Sequence, residues 1–164
     1  RKQTVKGLGN YTKTLHQLEA GSIAEIEGAY GRFSYKNFKN KNQIWIAGGI
    51  GITPFLSMAL SLPETDDYHI DLYYSVKSRG ELIDFQKLAN TSFMRHGNFT
   101  VYAFIGDEQN GFLGIDYIEQ HSEGLAGKHF FICGPPPMMQ SLRSQLKAKS
   151  VPGARIHSEE FAMS

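Results

Sequence analysis

The chain has 164 residues, of which 41% are hydrophobic, and its 17 Lys and Arg are nearly balanced by 16 Asp and Glu. This length is enough for one well-buried α/β domain with a small extra piece, but not for two full domains. The balanced charge, without a long basic run, argues against nucleic acid as the main partner. The single cysteine, Cys133, excludes a disulfide framework or a cysteine-cluster metal site.

No apolar stretch approaches the roughly 20 residues that cross a bilayer, and no signal peptide is visible. The chain is therefore expected to be soluble, and one cysteine fits a reducing compartment such as the cytosol. The sequence begins without Met, inside a strand-like run over residues 3–6. We therefore expect the chain to be a piece of a longer protein.

Taken in chain order, the first 35 residues contain two strand-like pieces around a short helix predicted over 11–18, and then a turn-rich stretch over 28–33. Residues 36–42 are polar, rich in Lys and Asn, and typical of a linker. We place the domain boundary there, so that residues 1–38 are the remnant of one domain and residues 39–164 form another.

From residue 43 onward, strand and helix patterns alternate. Strands are predicted over 43–47, 69–76, 99–105, 129–133 and 154–157. Helices are predicted over 54–62, 81–89, 115–120 and 138–147. Such alternation with short links predicts an α/β fold, a doubly wound parallel sheet with helices on both faces.

The first strand of this series runs into a glycine-rich turn at residues 48–54. Gly49 and Gly51 allow a sharp turn and a close approach to a ligand, Thr53 is expected as the N-cap, and Pro54 suits the first helical position. A helix N-terminus behind such a turn presents N–H groups to a pyrophosphate. The pattern is G-x-G-x-x-P rather than the G-x-G-x-x-G of ordinary dinucleotide folds, and a plain strand-to-helix turn is the alternative.

The second strand ends in a basic stretch with Ser75, Lys77 and Arg79. An NAD-specific fold usually places an acidic residue near this point, where it holds the ribose 2′-hydroxyl. A hydroxyl and two cations suit a 2′-phosphate instead, because charge-assisted hydrogen bonds to phosphate are strong. The stretch therefore predicts NADPH, with NADH as the alternative ligand and an exposed basic loop as the alternative structure.

The fourth strand ends at Cys133, followed by Gly134 and three prolines that begin at Pro135. The prolines predict a rigid loop at the carboxyl edge of the sheet, where ligands bind in this architecture. A buried packing cysteine is the alternative, and nothing marks Cys133 as a covalent nucleophile. A second basic, glycine-containing turn at residues 5–12 either holds another phosphate-bearing ligand or is a plain turn. The six histidines show no metal-ligand spacing, so no metal site is predicted.

Together these stretches resemble the ferredoxin–NADP reductase superfamily, and within it most closely the dehydrogenase portion of ferric reductases and NADPH oxidases. Residues 48–54 resemble its pyrophosphate loop, residues 73–79 its ribose-phosphate strand end, and residues 133–138 its Cys-Gly-Pro-Pro-x-Met nicotinamide loop. Residues 111–113, Gly-Phe-Leu, stand where many relatives carry a Gly-Arg pair.

The flavin side of the family is matched by shorter stretches. Residues 6–12 resemble the Lys-x-x-Gly-x-x-Thr segment that holds the FAD pyrophosphate. Residues 28–33 resemble the Gly-Pro-Tyr-Gly-x-Phe that closes the flavin domain, with Ala29 in place of Pro. Residues 156–161 resemble the C-terminal Glu-x-Phe, whose aromatic ring lies near the flavin. The family element that contacts the isoalloxazine is not in the sequence.

The resemblance implies that the parent protein passes a hydride from NADPH to FAD, and then electrons to a metal, haem or oxygen acceptor. Residues 1–38 are then the end of an FAD-binding domain and residues 39–164 an NAD(P)H-binding domain. The implied contacts are pyrophosphate at Gly49, Gly51, Thr53 and Pro54; 2′-phosphate at Ser75, Lys77 and Arg79; nicotinamide at Cys133, Gly134 and Pro135; and flavin at Lys6, Gly9, Tyr11 and Thr12. The implied catalytic residues are Cys133, Glu160 and Phe161, the last two at the hydride-transfer interface.

The implied partners are an upstream FAD domain and a haem-bearing membrane domain of the same chain, with this part on the cytoplasmic face. The 164 residues alone are expected to be inactive, since the isoalloxazine element is missing. Two alternatives stay open. One is a soluble member of the superfamily, such as an oxygenase reductase or a flavohaemoglobin tail. The other is a nucleotide-sensing module without a redox role.

Overall fold

A computed structural model of the chain describes residues 14–19, 21–23, 32–63, 67–83 and 98–159. By its internal packing the chain divides into two compact units, Arg1–Arg32 and Phe33–Ser164. In the described part of the first unit, a 3-10 turn over Leu15–Gln17 stands where the helix over 11–18 is predicted. No helix of the described ranges has the length and apolar character needed to cross a lipid bilayer.

A five-stranded parallel sheet forms the centre of the second unit. Its strands are β1 (Asn42–Gly48), β2 (His69–Val76), β3 (Phe99–Ile105), β4 (His129–Cys133) and β5 (Ile156–Glu159). They lie in the order β3-β2-β1-β4-β5, and every neighbouring pair is parallel. This arrangement confirms the predicted doubly wound sheet. The chain moves outward from β1 through β2 to β3 and then returns to the other side of β1, so the switch point lies between β1 and β4.

Four helices of the second unit are described: α1 (Ile52–Ala59), α2 (Gly106–Gln109), α3 (Ile115–His121) and α4 (Pro136–Ala148). The short α2 is not predicted by the sequence pattern. Helix α4 begins two residues earlier than expected, because prolines at its first two positions lose no helical hydrogen bond there. The helix predicted over 81–89 does not begin at Glu81, which ends a 3-10 turn and is followed by extended Leu82. Residues 84–89 lie outside the described ranges.

The start of α1 differs from the sequence expectation. A 3-10 turn over Gly49–Gly51 leads directly into the helix, so Gly51 occupies the N-cap position. Thr53 is therefore not the N-cap, and its hydroxyl donates to the Ile50 carbonyl at 3.2 Å. Pro54 is the third residue of the helix rather than the first. The Ile50 carbonyl, four residues before Pro54, accepts from the Thr53 hydroxyl in place of the N–H that proline lacks.

Both faces of the sheet are buried, as expected for parallel strands. On one face, Trp45 and Phe131 pack with Phe55 of α1. On the other face, Ile44 and Ile46 pack under α3 and α4 in a second cluster. Neighbouring residues of β1 thus point to opposite faces, and this alternating direction of the side chains separates the two buried cores.

Residues 33–38 belong to the second unit, six residues before the predicted boundary. Phe33 packs edge-on against Phe55 and Phe131, each with a ring-centroid distance of 5.7 Å. Tyr35 is buried, and its hydroxyl donates to the Ser61 carbonyl at 2.8 Å. Phe38 stacks on His157 at 3.7 Å. These rings cover the α1 face of the sheet, so the compact unit begins before the polar stretch that marks a linker.

Two histidines of neighbouring strands share a hydrogen bond at this face. His129 Nδ1 and His157 Nε2 lie 3.0 Å apart, so one ring nitrogen donates and the other accepts. Burial and the neighbouring His129 lower the pKa of His157 to about 4. Burial and Arg155 lower the pKa of His129 as well. Both rings are therefore held neutral, and the pair is a structural feature of the β4–β5 edge.

Candidate functional site

The loops after β1 and β4 meet at the carboxyl edge of the sheet, on either side of the switch point. A Cβ atom added to Gly51 would collide with the carbonyl of Cys133 and lie 2.8 Å from the Gly134 nitrogen. A Cβ added to Gly134 would lie 3.0 Å from the Gly48 Cα. The two glycine-containing loops that the sequence separates by more than 80 residues are thus in direct backbone contact.

Glycine is required at two positions of the first loop for two different physical reasons. Gly49 has φ +51°, a left-handed conformation in which a side chain is strained. Gly51 has an ordinary helical backbone but is buried against the β4 loop. Its lack of a side chain is required by this loop-to-loop contact, whereas the sequence suggested close approach to a ligand. Contact of either glycine with a pyrophosphate stays a prediction.

Cys133 and Glu159 are paired in the register of β4 and β5, at the ends of the two strands. The Cys133 side chain is 0% exposed and packs in the core of the α1 face. Burial, with a further contribution from the Glu159 carboxylate, raises the pKa of Cys133 to about 12. Burial also raises the pKa of Glu159. Cys133 is therefore a neutral thiol near pH 7 and unsuited to attack as a thiolate.

Glu159 is a residue that the sequence reasoning missed. It stands two positions before Phe161 and so fits the first position of the Glu-x-Phe pattern, a signal that was present in the sequence. The residues that were assigned instead, Glu160 and Phe161, lie outside the described ranges. The predicted flavin contacts Lys6, Gly9, Tyr11 and Thr12 do so too, and all six assignments stay predictions.

The end of β2 brings Ser75, Lys77 and Arg79 to the same edge, as the sequence predicts from their positions. Ser75 is half-buried, and Lys77 and Arg79 are exposed. The Arg79 guanidinium is engaged by Glu108, with Nε and Nη2 each donating to one carboxylate oxygen at 2.7 Å. Within the described part of the chain, the Lys77 ammonium has no hydrogen-bond or ion-pair partner.

Glu108 is the second residue that the sequence reasoning missed. It lies in α2, directly after β3, and β3 is the parallel neighbour of β2. The Asp107 backbone N–H donates to the Lys77 carbonyl at 3.0 Å, which ties the two loops together. The hydrogen bond to Glu108 raises the pKa of Arg79, and the same bond lowers the pKa of Glu108. Both groups are thus charged over the whole physiological range.

A polar cavity of about 420 Å³ lies at the opposite, amino end of the strands. It is lined by residues from the starts of β1, β2 and β3 and the end of α3, among them Asn42, His69, Thr100 and His121. Asp71 in this cavity accepts a hydrogen bond from Ser122 at 2.6 Å and lies 3.7 Å from the Lys128 ammonium. The Asp71 carboxylate already has these two partners. Ligands of open parallel sheets bind at the carboxyl ends of the strands, so we place the candidate site at the carboxyl edge and not in this cavity.

The carboxyl edge has the chemistry that a nicotinamide nucleotide requires. The 3-10 turn over Gly49–Gly51 leads into the N-terminus of α1, whose positive dipole end and nearby backbone N–H groups suit a pyrophosphate. Lys77 offers an uncommitted cation, and the loop at Gly134 and Pro135 is short and stiff. These donor groups fit the nucleotide. The predicted flavin contacts lie outside the described ranges.

A family model matches most of the second unit. Residues 45–144 match the family model described as the oxidoreductase NAD-binding domain. The matched range begins in β1 and ends in α4, so it contains both loops of the switch point and the end of β2. The family model therefore covers the edge that the geometry selects.

Three curated relatives are reductase or hydroxylase components. The chain is 34% identical to the phenol 2-monooxygenase reductase component DmpP of Pseudomonas sp. (strain CF600), over 81% of this chain and 40% of that protein. It is 30% identical to the phenol hydroxylase P5 protein of Acinetobacter pittii, over 96% of this chain and 47% of that protein. It is also 30% identical to the phthalate 4,5-dioxygenase oxygenase reductase subunit of Pseudomonas putida, over 99% and 48%. The chain thus spans less than half the length of these relatives.

Solved structures share the fold at lower identity. The flavohemoglobin from Malassezia yamatoensis superposes with a TM-score of 0.80 at 21% identity, over 98% of this chain and 43% of that one. The cytochrome b5 reductase domain of Ulva prolifera nitrate reductase gives 0.73 at 23%, over 92% and 64%. The H286L mutant of Plasmodium falciparum ferredoxin-NADP+ reductase gives 0.70 at 22%, over 93% and 66%. On the sequence match, the chain belongs to the oxidoreductase NAD-binding domain family, and its fold is that of these solved structures.

Proposed function

We propose that the chain is the nicotinamide-nucleotide-binding module of a flavin-dependent reductase that supplies electrons to an oxygenase component. The observation that carries this proposal is the contact of the β1 and β4 loops at the switch point, with the left-handed turn at Gly49 beside it. Ligands of doubly wound folds bind at this place. When bound, the nicotinamide nucleotide supplies the hydride, and the protein's task is to hold and orient it.

Each part of the edge has its own task in this proposal. The turn at Gly49 and the first turn of α1 hold the pyrophosphate through backbone N–H groups. Lys77, with Ser75 beside it in β2, faces the ribose and any phosphate on it. The stiff loop at Gly134 and Pro135 positions the nicotinamide, and it follows directly on Cys133, which is buried and paired in register with the half-buried Glu159. Because Cys133 is buried and neutral, its task is packing at the nicotinamide end and not covalent chemistry.

The electron acceptor is proposed from the relatives. Phenol and phthalate oxygenase reductases support the oxygenase-reductase alternative better than the ferric-reductase or NADPH-oxidase interpretation. A haem-bearing membrane domain is accordingly not part of the proposal. The flavin contacts at Lys6, Gly9, Tyr11 and Thr12, and the hydride-transfer roles of Glu160 and Phe161, are proposed from the family resemblance alone. A flavin domain of the longer parent protein completes the proposed enzyme.

Calorimetric titration of the chain with NAD+ and NADP+ tests the nucleotide site, using Gly49→Ala and a matched control, Gly124→Ala. Gly124 also has positive φ, at +94°, with no atom within 4 Å of an added Cβ. It follows α3, away from the carboxyl edge. Both variants strain the backbone by about 1–2 kcal/mol, since each places a side chain in the left-handed region. Only Gly49→Ala should weaken nucleotide binding, by tenfold or more. Equal losses in the two variants, or no binding by the unmodified chain, would refute the site.

The electron-transfer step is tested in the flavin-containing parent protein. NADH or NADPH is mixed with the reductase under anaerobic conditions, and flavin absorbance is followed by stopped flow. Rapid bleaching, followed by reoxidation on addition of a ferredoxin-type or oxygenase acceptor, is the expected result. Nucleotide binding without any flavin reduction would instead support a nucleotide-sensing module.

A further inference from the structure

We propose that Glu108 sets the choice between the two nicotinamide nucleotides by holding Arg79 in an ion pair that a 2′-phosphate has to break. The inference rests on the proposed nucleotide site and deepens it. Arg79 presents two nitrogens to the two oxygens of Glu108, both at 2.7 Å, and this is the geometry in which a guanidinium also binds phosphate. The carboxylate therefore occupies the same donor pair that a phosphate would use.

Glu108 is held in this position by backbone geometry. Strands β2 and β3 run in parallel register up to the pair Val76 and Ile105. The Asp107 N–H donates to the Lys77 carbonyl at 3.0 Å, and the Gln109 side chain accepts from the Ile105 N–H at 3.0 Å. Helix α2 is thus fixed to both strands on either side of Glu108. These hydrogen bonds place the Glu108 side chain within reach of Arg79.

The charges predict a preference for the ligand without the extra phosphate. A 2′-phosphate near Arg79 displaces a carboxylate but leaves that negative charge close by, which opposes binding. A ribose 2′-hydroxyl is neutral and able to donate to a carboxylate, as the acidic residue of NAD-specific folds accepts from it. No acid stands among residues 75–79 at the end of β2, and Glu108 of α2, directly after β3, therefore supplies one. Lys77 and Arg79 alone had pointed to NADPH, and Glu108 reverses that expectation.

Exposure limits the size of the effect. The side chains of Arg79 and Glu108 are 71% and 45% exposed, so water and salt weaken the pair. Discrimination of about tenfold is expected from one such pair together with one like-charge repulsion across several ångströms of solvent. A partial preference of this size leaves both nucleotides able to bind.

Calorimetry with AMP and adenosine 2′,5′-bisphosphate isolates this step, because the two probes differ only in the 2′-phosphate. The unmodified chain should bind AMP at least as tightly as the bisphosphate. Glu108→Gln should shift the affinity ratio about tenfold toward the bisphosphate. Glu119→Gln is the matched control. Glu119 lies on α3 and its carboxylate is 2.6 Å from the Lys149 ammonium, so the substitution also removes one negative charge and one ion pair. It should leave the affinity ratio unchanged.

The Arg79→Ala background shows whether Glu108 acts through the pair. In that background Glu108→Gln should shift the ratio only about twofold, the remainder expected of one exposed charge. An unchanged ratio in Glu108→Gln, an equal shift in Glu119→Gln, or the full tenfold shift without Arg79 would each overturn the inference while leaving nucleotide binding intact. Failure of the unmodified chain to bind either probe would overturn the proposed site itself, and the inference with it.

Discussion

Replacing Gly51 with alanine should drive apart the two loops that meet at the carboxyl edge. The backbone at Gly51 has φ −61°, which alanine adopts freely, so any effect is steric. The new methyl would collide with the Cys133 carbonyl group and lie 2.8 Å from the Gly134 nitrogen. These are backbone atoms at the end of a buried strand and have no rotamer by which to move away. We expect a loss of about 2–3 kcal/mol in the free energy of unfolding, the upper range for overpacking.

Urea unfolding followed by circular dichroism measures this loss, with Gly153→Ala as the control. Gly153 has no atom within 4 Å of an added Cβ, so its alanine variant should stay within about 1 kcal/mol of the unmodified chain. The midpoint of Gly51→Ala should fall while the slope stays constant, and its melting temperature should drop by about 4–12 °C. Nucleotide affinity should fall too, since the turn proposed to hold the pyrophosphate would move. A stability within 0.5 kcal/mol of the control, roughly the additivity error of such measurements, would refute the contact.

Three further predictions concern the basic residues after β2, the buried Cys133 and the histidine pair of β4 and β5. Lys77→Ala with Arg79→Ala should weaken adenosine 2′,5′-bisphosphate about tenfold or more in calorimetry and change AMP little, since it removes two positive charges near the 2′-phosphate and leaves Glu108 negative; equal losses for both probes would contradict this. Cys133, whose pKa burial raises to about 12, should resist iodoacetamide at pH 8 in the folded chain and react after unfolding, as mass spectrometry would show. The pKa of His157 is lowered to about 4 in the folded chain, so as the pH falls this ring is protonated at a higher pH in the unfolded chain than in the folded one. The free energy of unfolding should therefore be highest above about pH 6.5 and should fall between pH 6.5 and pH 4. His157→Gln should flatten that slope in urea midpoints, and an unchanged slope would contradict this reasoning.

Much of the fold follows from the sequence because its strands are short, apolar and bounded by clear turns. Three predicted strands, over 69–76, 99–105 and 129–133, coincide with the observed bounds. β4 is buried over most of its length, so its apolar run marks the strand, whereas the less buried β2 and β3 are marked by their aromatic and β-branched residues. The last strand begins two residues late because the 3-10 turn over Gly153–Arg155 takes up the start of the predicted run.

The site was harder to predict from the sequence than the fold, since its contacts join residues that are distant in sequence. The pairing of Arg79 with Glu108 depends on β3 lying beside β2, which no local pattern reveals. The contact of Gly51 with the Cys133 carbonyl depends on how far each loop projects beyond its strand. Thr53 was expected as an N-cap because the sequence does not show that a 3-10 turn already starts the helix at Gly49.

The aromatic residues before β1 have a practical consequence for dissecting the chain. A fragment cut at residue 39, where the polar stretch suggests a joint, would lose Phe33, Tyr35 and Phe38 together. The side chains of Trp45 and Phe131 would then be exposed to water as part of an apolar surface patch, and such patches promote aggregation. A soluble nucleotide module therefore has to begin at or before Phe33. In gene fusions and domain exchanges, residues 33–38 should therefore be kept together with the sheet that they cover and not with the residues that precede them.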